Sequence, residues 1–437
     1  MSTKTISDEP IYDASKLGVP KMVILGIQHT FAMFGATVLV PLLTGLNVST
    51  TLLFAGVGTL LFHFLTKGKV PAFLGSSFAF LLGYQTVAPM AENGAPNADM
   101  LPYACGGVFC AGLLYVLLAG LVKLYGTEKI MRFFPPVVTG PIIIAIGLNL
   151  APSAITSCKD NWIVALVAIL VTIGFNMWGK GMLKIIPIIL GIVASYTVAV
   201  FMGDVSLSEF GSKAIVSMPQ ITMMKFDANA IITIMPIALA TMMEHIGDIN
   251  AISATTGHNY IKDPGLHRTL LGDGLATSLA SAFGGPANTT YGENTGVLAL
   301  TKVYDPKVIE IAACFAIVLS FIPKIDYLIE SVPTATIGGI SLILYGMISA
   351  VGIRNMVENH VDFSRMRNTI IAALILVLAL GLGEGITFTI GKTAITLSAL
   401  ATASIVGIVA NAILPGNEYQ YVDDNEEEED RFHTYKV

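Results

Sequence analysis

The stretch "PANTTYGENTGVLALTK", Pro286 to Lys302, places a run of polar side chains between two apolar parts of the chain. By itself it would be read as a surface loop, because it opens with proline and its first half is polar. The apolar character of its neighbours argues against a loop. The polar residues to be explained are Asn288, Thr289, Thr290, Glu293 and Asn294.

The composition predicts an integral membrane protein. Of the 437 residues, 54% are hydrophobic and 12% are charged, and the mean hydropathy is +0.73. Soluble domains carry roughly 25% charged residues. The polar opening "MSTKTISDEPIYDASK" lacks the apolar core of a signal peptide, so the first hydrophobic stretch is expected to span the membrane. The four cysteines lack CxxC spacing and are interpreted as small buried hydrophobic residues.

Fourteen apolar segments are predicted to cross the membrane, since a span takes about 20 apolar residues, and fewer where a helix is broken inside protein. If both termini are cytoplasmic, nineteen lysines and arginines lie inside and five outside, as the positive-inside rule expects. Omitting one span would invert every later loop and remove this asymmetry. The predicted spans are 20–43, 51–66, 71–88, 102–122, 135–155, 162–178, 183–202, 229–254, 269–283, 286–301, 308–323, 333–350, 368–386 and 394–414.

The end of the chain is an acidic tail. The stretch "NEYQYVDDNEEEEDRFHTYKV" holds eight acids against Arg431 and Lys436, a net charge of −6. A polar, apolar-poor stretch of this kind is expected to be a disordered cytoplasmic tail. The chain has no basic patch and no reader motif, so nucleic acid is not an expected partner.

Landmarks recur between the first seven spans and the last seven. His29 in span 1 corresponds to His245 in span 8, and Pro71 opens span 3 as Pro286 opens span 10. Because seven is odd, the second set enters the membrane from the opposite side, which makes an inverted repeat. Interrupted segments at matching positions of such repeats point to a transporter's substrate site. Spans 3 and 10 are therefore predicted to be broken helices whose freed backbone groups and helix N-termini face a polar ligand, with ligand-free irregular packing as the alternative.

Three acids, Glu244, Asp248 and Glu293, are predicted at membrane depth. Glu244 and Asp248 are four residues apart and share one helix face. An intramembrane charge costs at least a few kcal/mol, which makes such an acid a candidate functional residue; an internal ion pair or a neutral, hydrogen-bonded acid is the alternative. Close carboxylates in a low dielectric allow one of them to hold a proton and exchange it as substrate arrives. Which acid would carry the proton stays open.

Further polar and aromatic residues are candidates with simpler readings. His29 and His245 are either helix-packing donors or ligand groups, and Asp273 is placed near the cytoplasmic end of span 9 as a cap or pairing residue. Phe78 and Tyr345 lie beside glycine-rich backbone, where a planar ligand could stack on them, with plain packing as the alternative. The sequence "MEHIGD" is neither HExxH nor HxxEH, and no nucleophile–base or metal set is found, so neither an enzyme nor a metal site is predicted.

Several blocks of the sequence closely resemble the nucleobase–ascorbate transporters, also called the nucleobase–cation symporter-2 family. Residues Glu293 to Lys302 fit the family signature, in which Gln, Glu or Pro is followed by Asn, any residue, Gly, four further residues, Thr and a final Arg, Lys or Gly. The resemblance covers nearly the whole chain apart from the acidic tail. The matching blocks are "QHTFAMFGATVLVP" (28–41), "PAFLGSSFAF" (71–80), "EHIGD" (244–248), "DPGLHR" (263–268), "NTTYGENTGVLALTKVY" (288–304) and "GGISLILYG" (338–346).

The resemblance implies a fold as well as a family. The expected fold is an all-α polytopic membrane protein with fourteen transmembrane segments in two inverted seven-segment repeats and short strands in the broken segments 3 and 10. Segments 1–4 and 8–11 would form a core domain, and segments 5–7 and 12–14 a gate domain. The implied divisions are 1–19 (cytoplasmic N-terminus), 20–125 (core), 126–228 (gate), 229–325 (core), 326–415 (gate) and 416–437 (acidic cytoplasmic tail).

The resemblance also implies a function and a site. The expected activity is proton symport of a nucleobase across the bacterial cytoplasmic membrane, by a homodimer with protons as the coupling ion and no cofactor. By position, Glu244 and Glu293 would accept the N–H groups of a pyrimidine. Backbone near Ser77, Phe78 and Gly292 would meet its carbonyl groups, and the ring would be lined by Phe78, Tyr291, Ala36 and Tyr345. The implied proton-coupling residues are Glu293, Asp248, Glu244 and His245.

Two residues bear on the choice of nucleobase. Glu293 within "YGEN" is the form found in uracil-transporting members, whereas purine members usually begin the signature with glutamine. Asp248 stands where a well-known uracil transporter has histidine and where purine relatives commonly carry aspartate. Uracil is the expected substrate, and xanthine or urate is the alternative. An anion transporter on the same architecture is less favoured, because the adjacent carboxylates would repel an anion.

Overall fold

The structure is a computed structural model that describes residues 10–91, 95–205, 210–383, 385–390 and 393–416. The predicted acidic tail, except for Gly416, lies outside these residues, as do the first nine residues of the predicted N-terminal segment. The described chain is mostly helical and contains two small antiparallel sheets. Helices suit an apolar chain in lipid because they satisfy their own backbone hydrogen bonds.

The helices and strands divide between the two halves of the chain. The first half contains α1 (Val19–Thr44), α2 (Val48–Leu65), β1 (Leu74–Ser76), α3 (Leu81–Val87), α4 (Leu101–Tyr125), α5 (Thr127–Met131), α6 (Pro136–Cys158), α7 (Trp162–Trp178), α8 (Met182–Ile185) and α9 (Pro187–Met202). The second half contains α10 (Ala228–Ile234), α11 (Ile237–Thr256), α12 (Leu266–Ala282), β2 (Asn288–Thr290), α13 (Glu293–Thr301), α14 (Pro306–Ser320), α15 (Pro323–Glu330), α16 (Thr334–Glu358), α17 (Met366–Gly381), β3 (Ile386–Ile390), β4 (Thr393–Leu397) and α18 (Ala399–Ile413).

Several of these helices can cross a membrane. Within the described residues, six are long and apolar enough by themselves: α1, α2, α4, α6, α16 and the pair α10–α11 taken as one. The pair α14–α15, bent by 84°, would be a seventh. The other apolar helices, among them α7, α9, α17 and α18, have 10–17 residues. The protein is therefore a multi-pass membrane protein.

The two predicted interruptions meet in a short antiparallel sheet. β1 pairs with β2 so that Leu74 lies opposite Thr290 and Ser76 lies opposite Asn288. Each strand leads into a short helix: a 3₁₀ turn, Phe78–Phe80, continues into α3, and α13 follows β2. The backbone groups that leave the helical pattern in one half are thus satisfied by the matching interruption in the other half.

Close helix contacts hold the frame around this sheet. α12 packs against α4, and the Gly112 position is so close that an added Cβ would lie 2.6 Å from the carbonyl oxygen of Gly274. α16 packs against α6, where a Cβ on Gly147 would lie 2.2 Å from the carbonyl oxygen of Tyr345. Small residues allow such close backbone approach in membrane helix pairs.

The predicted limits of spans 13 and 14, 368–386 and 394–414, are wrong at the ends that face each other. α17 ends at Gly381 and α18 begins at Ala399, and between them β3 pairs with β4 in an antiparallel arrangement. The stretches "ITFTI" and "TAITL" are rich in β-branched residues, which favour strands. Their apolar composition made them look like extensions of the neighbouring helices. Predicted span 8 also differs, because it is divided at Met235 and Pro236 into α10 and α11.

Candidate functional site

One threonine side chain binds each of the paired strands β1 and β2. The Thr59 hydroxyl, on α2, accepts a hydrogen bond from the Leu74 amide (2.9 Å), and its own proton is shared between the carbonyl oxygens of Ala55 (2.7 Å) and Leu74 (3.2 Å). The Thr277 hydroxyl, on α12, accepts from the Asn288 amide (3.3 Å) and donates to the Asn288 carbonyl (2.8 Å). Each short strand is therefore fixed by one side chain of the neighbouring helix, and the arrangement is repeated in the two halves.

Tyr291 covers the first strand. Its hydroxyl donates to the carbonyl oxygen of Ser76 at 2.9 Å and accepts from the hydroxyl of Thr37 at 3.3 Å. A Cβ added to Gly75 would lie 2.5 Å from the Tyr291 ring, so β1 can pass beneath this ring only because position 75 has no side chain. The Tyr291 side chain therefore joins β1 to α1 and covers the pair of strands β1 and β2.

Asp273 belongs to a buried network behind the second strand. One of its carboxylate oxygens accepts hydrogen bonds from both the amide (2.8 Å) and the hydroxyl (2.9 Å) of Thr290. His245 Nδ1 lies 3.0 Å from the same hydroxyl and 3.4 Å from the same carboxylate oxygen. Asp273 was expected near the end of its span; it instead lies near the middle of α12, completely buried, and its pairing is with β2 and α11.

The three predicted acids lie on α11, which packs against β2, and on α13, which follows β2 in the chain. Glu244 and Asp248 are one turn apart on α11, and Glu293 is the first residue of α13. All three are half-buried, while Gly247 and Gly292 beside them are exposed, so the acids border an opening in the protein. Electrostatic interactions link Glu244 with Glu293 and Asp248 with both.

A positively charged side chain on α16 interacts with one of the three acids. Arg354, near the end of α16, interacts electrostatically with Asp248 and lies 3.7 Å from Glu358 through its Nε atom. Among the described residues, no group of three or more His, Cys, Asp or Glu side chains is arranged to hold a metal ion. The acids can accept N–H groups of a ligand or bind protons.

Asp248 lies close to the head of α13. A Cβ added to Gly292 would lie 3.0 Å from Oδ1 of Asp248, so the carboxylate occupies the space beside the residue that precedes Glu293. The N-terminus of α13 carries the partial positive charge of the helix dipole and amides with no partner inside the helix. The start of α13 therefore presents donors and a carboxylate at the same place.

A second histidine fixes α13 from the other side. The Asn294 amide nitrogen lies 3.2 Å from Nδ1 of His29 and 3.3 Å from its backbone carbonyl oxygen. His29 is buried on α1. His29 and His245 thus both contact the second interruption, one through Asn294 and the other through Thr290. These contacts fit the packing interpretation of both histidines.

The remaining predicted residues are distributed around β1. The Ser77 amide donates to the carbonyl oxygen of Ala287 at 2.9 Å, so it extends the sheet, and the amides after it begin the 3₁₀ turn. Phe78 is half-buried and packs against both the apolar cluster that contains Ala36 and the one that contains Tyr345. Ala36 and Tyr345 are themselves buried, on α1 and α16. Phe78 therefore lies where these two helices approach the sheet.

Sequence reasoning missed the roles of Thr59 and Thr277. A signal was present, because their separation, 277 − 59 = 218 residues, is close to the 245 − 29 = 216 residues that relate His29 to His245. Both threonines lie in spans whose prediction rests only on length and apolar character. Position within the repeat would have singled them out.

Comparison with solved structures identifies the fold. The transmembrane domain of a cyanobacterial bicarbonate transporter, BicA, superimposes with a TM-score of 0.55 and 15% sequence identity, covering 92% of this chain and 99% of that one. The murine anion transporter Slc26a9 in its inward-facing state gives a TM-score of 0.65 at 11% identity, covering 94% of this chain and 73% of that one. The described helices thus follow an architecture used by membrane transporters.

Comparison with known sequences identifies the family. The sequence pattern of the permease family matches residues 20–388. A probable uracil permease of Haemophilus influenzae is 41% identical over 404 residues, which are 90% of this chain and 94% of that protein. The uracil permease of Bacillus subtilis is 39% identical over 424 residues, 93% of this chain and 95% of that one. The chain therefore belongs to the permease family of nucleobase–ascorbate transporters that its motifs predict, a family of transporters and not of enzymes.

Proposed function

We propose that this protein is a proton-coupled secondary transporter that imports uracil across the cytoplasmic membrane. The observation that carries the proposal is the position of Glu244, Asp248 and Glu293 around the head of α13, next to the paired strands β1 and β2. The names of the relatives, uracil permeases about 40% identical over most of the chain, support uracil as the substrate.

In the proposed site, the two glutamates recognise the donor edge of the base. Glu244 and Glu293 accept the N–H groups of uracil, and backbone amides near Ser77, Phe78 and Gly292 donate to its carbonyl groups. Helix N-termini are suited to this, since their first amides have no partner within the helix. The ring lies among Phe78, Tyr291, Ala36 and Tyr345.

Proton coupling follows from the closeness of the acids. Several carboxylates around one opening cannot all be ionised at low cost, so one of them holds a proton that binding or release of the base can exchange. The proposed coupling residues are Glu293, Asp248, Glu244 and His245. One proton moving through 100 mV supplies about 2.3 kcal/mol, enough to concentrate a neutral base about fiftyfold.

The proposed architecture is the one that the sequence predicts. Fourteen segments form two inverted repeats, with the core domain at 20–125 and 229–325, the gate domain at 126–228 and 326–415, and both termini in the cytoplasm of a bacterial cell. The repeated use of Thr59 and Thr277 on matching strands supports the inverted relation. The transporter would work as a homodimer.

Asp248 favours a purine base as the second candidate. It follows Glu244 by one turn, at a position where purine-transporting relatives commonly carry aspartate, so xanthine or urate is the alternative substrate. An anion substrate is disfavoured although BicA and Slc26a9 share the fold, because Glu244, Asp248 and Glu293 would repel it.

Uptake of labelled uracil into proteoliposomes with an imposed pH gradient tests the proposal. We expect accumulation with an acidic exterior, collapse on addition of a protonophore, and competition by unlabelled uracil. Xanthine competing more strongly than uracil would replace the substrate, and uracil accumulation that ignores the gradient would remove the symport mechanism.

A further inference from the structure

Basic side chains from three elements meet at one end of the core. α4 and α12 are antiparallel neighbours: the Ser278 hydroxyl donates to the Phe109 carbonyl at 3.0 Å, and a Cβ on Gly274 would lie 2.5 Å from Cβ of Tyr115. Following both helices away from the sheet brings Lys123, near the end of α4, alongside the start of α12 at His267.

The end of α2 reaches the same place. Arg268 donates from Nη1 to the Leu65 carbonyl at 3.0 Å, which joins the start of α12 to the end of α2. Lys67 follows two residues later, and His267 interacts electrostatically with Lys67, Lys123 and Arg268. The basic cluster is therefore Lys67, Lys123, His267 and Arg268.

Lys67 occupies an unusual backbone position. Its φ is +61°, in the left-handed region that favours glycine, and the lysine side chain is exposed. A non-glycine residue is disfavoured there, because its Cβ crowds the neighbouring carbonyl oxygen.

The nearby acid neutralises this cluster only in part. Asp263 hydrogen-bonds and pairs with Lys69, and this hydrogen bond is the main cause of the lowered pKa of the Asp263 carboxyl. Asp263 also interacts electrostatically with Lys67, so its one negative charge is shared by two lysines, whereas the cluster also contains Lys123 and Arg268. Lys67 and Lys123 are both exposed at the rim of the cluster.

Large apolar side chains border the cluster. Phe64 at the end of α2 is 80% exposed, Leu124 at the end of α4 is 77% exposed, and Tyr125 beside it is 59% exposed. Exposed apolar residues on membrane-spanning helices face lipid, and aromatic residues concentrate at the bilayer surface. The cluster thus lies at the level where headgroups meet acyl chains.

We propose that Lys67, Lys123, His267 and Arg268 bind the phosphate of an anionic phospholipid of the cytoplasmic leaflet, with Phe64 and Leu124 against its acyl chains. Lys67, Lys123 and Arg268 supply the positive charge, and His267, whose pKa is lowered by burial and by these cations, offers a ring N–H. Charge just above an apolar border matches a lipid that carries a phosphate at one end and hydrocarbon at the other. A bound lipid would hold together the ends of α2, α4 and α12, two of which carry the threonines that fix the strands. The proposal is independent of the substrate.

Thermal unfolding of the purified protein in detergent tests the lipid site. We expect phosphatidylglycerol to raise the unfolding temperature more than phosphatidylcholine does. The double variant Lys67→Gln/Lys123→Gln should raise the half-saturating concentration of phosphatidylglycerol about thirtyfold, since each surface cation contributes about 1 kcal/mol to anionic lipid binding. The matched control is Lys180→Gln/Lys184→Gln, which removes two exposed lysines on the same predicted side of the membrane and should respond to phosphatidylglycerol as the wild type does.

Three results would overturn the site. Equal stabilisation by the two lipids would mean that charge is not recognised, and equal weakening in the control variant would mean that only net charge matters. Stabilisation by inorganic phosphate alone, to the same extent as by the lipid, would identify a free-anion site instead. Native mass spectrometry should find a retained phosphatidylglycerol on the wild type and lose it in Lys67→Gln/Lys123→Gln, which separates loss of binding from poor folding.

Discussion

Thr290 donates both its amide and its hydroxyl to one carboxylate oxygen of Asp273, at 2.8 Å and 2.9 Å. Asp273 lies on α12 and Thr290 is the last residue of β2, so this pair attaches the end of the second strand to a neighbouring helix. Both residues are buried. The position of the chain at Tyr291, Gly292 and Glu293 therefore depends on an acid that itself does not border the opening.

Replacing Asp273 should destabilise the protein in a graded way. Asp273→Ala leaves the buried Thr290 amide without its acceptor and should lower the free energy of unfolding by about 1–3 kcal/mol. Asp273→Asn keeps a carbonyl oxygen at the same place and should lose less. Unfolding temperatures measured in detergent check the order wild type, asparagine, alanine; an alanine variant as stable as the wild type would contradict the assigned role.

Gly292→Ala should weaken uracil binding through Asp248. The added Cβ would lie 3.0 Å from Oδ1 of Asp248, so the carboxylate must move by a few tenths of an ångström, and we expect the Kd for uracil to rise several-fold. In an Asp248→Ala background the same change should cost much less, because the partner has been removed. Calorimetric titration with uracil measures both, and additive effects would refute the contact. Gly174→Ala, whose Cβ would meet nothing within 4 Å, is the control.

Gly75→Ala should disrupt the packing of Tyr291 on β1. Its Cβ would lie 2.5 Å from the Tyr291 ring and 2.9 Å from the Thr37 hydroxyl, and both neighbours are buried. Overpacking of this kind typically costs about 1–3 kcal/mol. We expect a lower unfolding temperature and loss of uptake, whereas Gly120→Ala, with no atom within 4 Å of its Cβ, should behave as the wild type. Normal stability of Gly75→Ala would show that the strands can separate.

Glu293→Gln tests the proposed site directly. Glutamine keeps the size of the side chain but removes its charge and its ability to take up a proton, so uracil binding or its coupling to protons should be lost. Uptake with and without a pH gradient, together with equilibrium binding, distinguishes the two. Glu128→Gln, an exposed acid on α5, provides the matched charge control. Near-normal, proton-driven uptake by Glu293→Gln would remove Glu293 from the site.

Asp305 should anchor the N-terminal segment to the core. Its carboxylate accepts from the Ala14 amide at 2.7 Å and from the Lys307 amide at 3.0 Å, so it caps α14 and holds the segment before α1. Asp305→Ala should cost about 1–2 kcal/mol of stability, and Asp305→Asn, which can still cap, should cost less. Unfolding temperature and protease cleavage before Val19 report the two effects; unchanged values for both would contradict the assignment.

The sequence predicted the breaks in the helical pattern better than it predicted what the breaks do. Pro71 and Pro286 marked the two interruptions, and β1 and β2 begin within a few residues of them. The sequence did not predict that β3 and β4 form a pair, because apolar strands and apolar helix ends have similar compositions. The pairing of Asp273 with Thr290 of β2 was not predicted either, because the position of a residue on a helix does not show which strand packs against it.

By itself, the sequence determined that the chain is a membrane protein, where two of its segments leave the helical pattern, and which family it belongs to. These properties depend on composition, on proline and on short motifs, which act over a few residues. Only the tertiary structure decided that Leu74 lies opposite Thr290 in a strand pair and that Asp248 lies close to Gly292. It also decided that Thr59 and Thr277 each hydrogen-bond to one of the two strands. Except for the Thr59–Leu74 and Thr277–Asn288 bonds, these pairs are distant along the chain, and all of them depend on how whole helices pack, which local pattern does not specify.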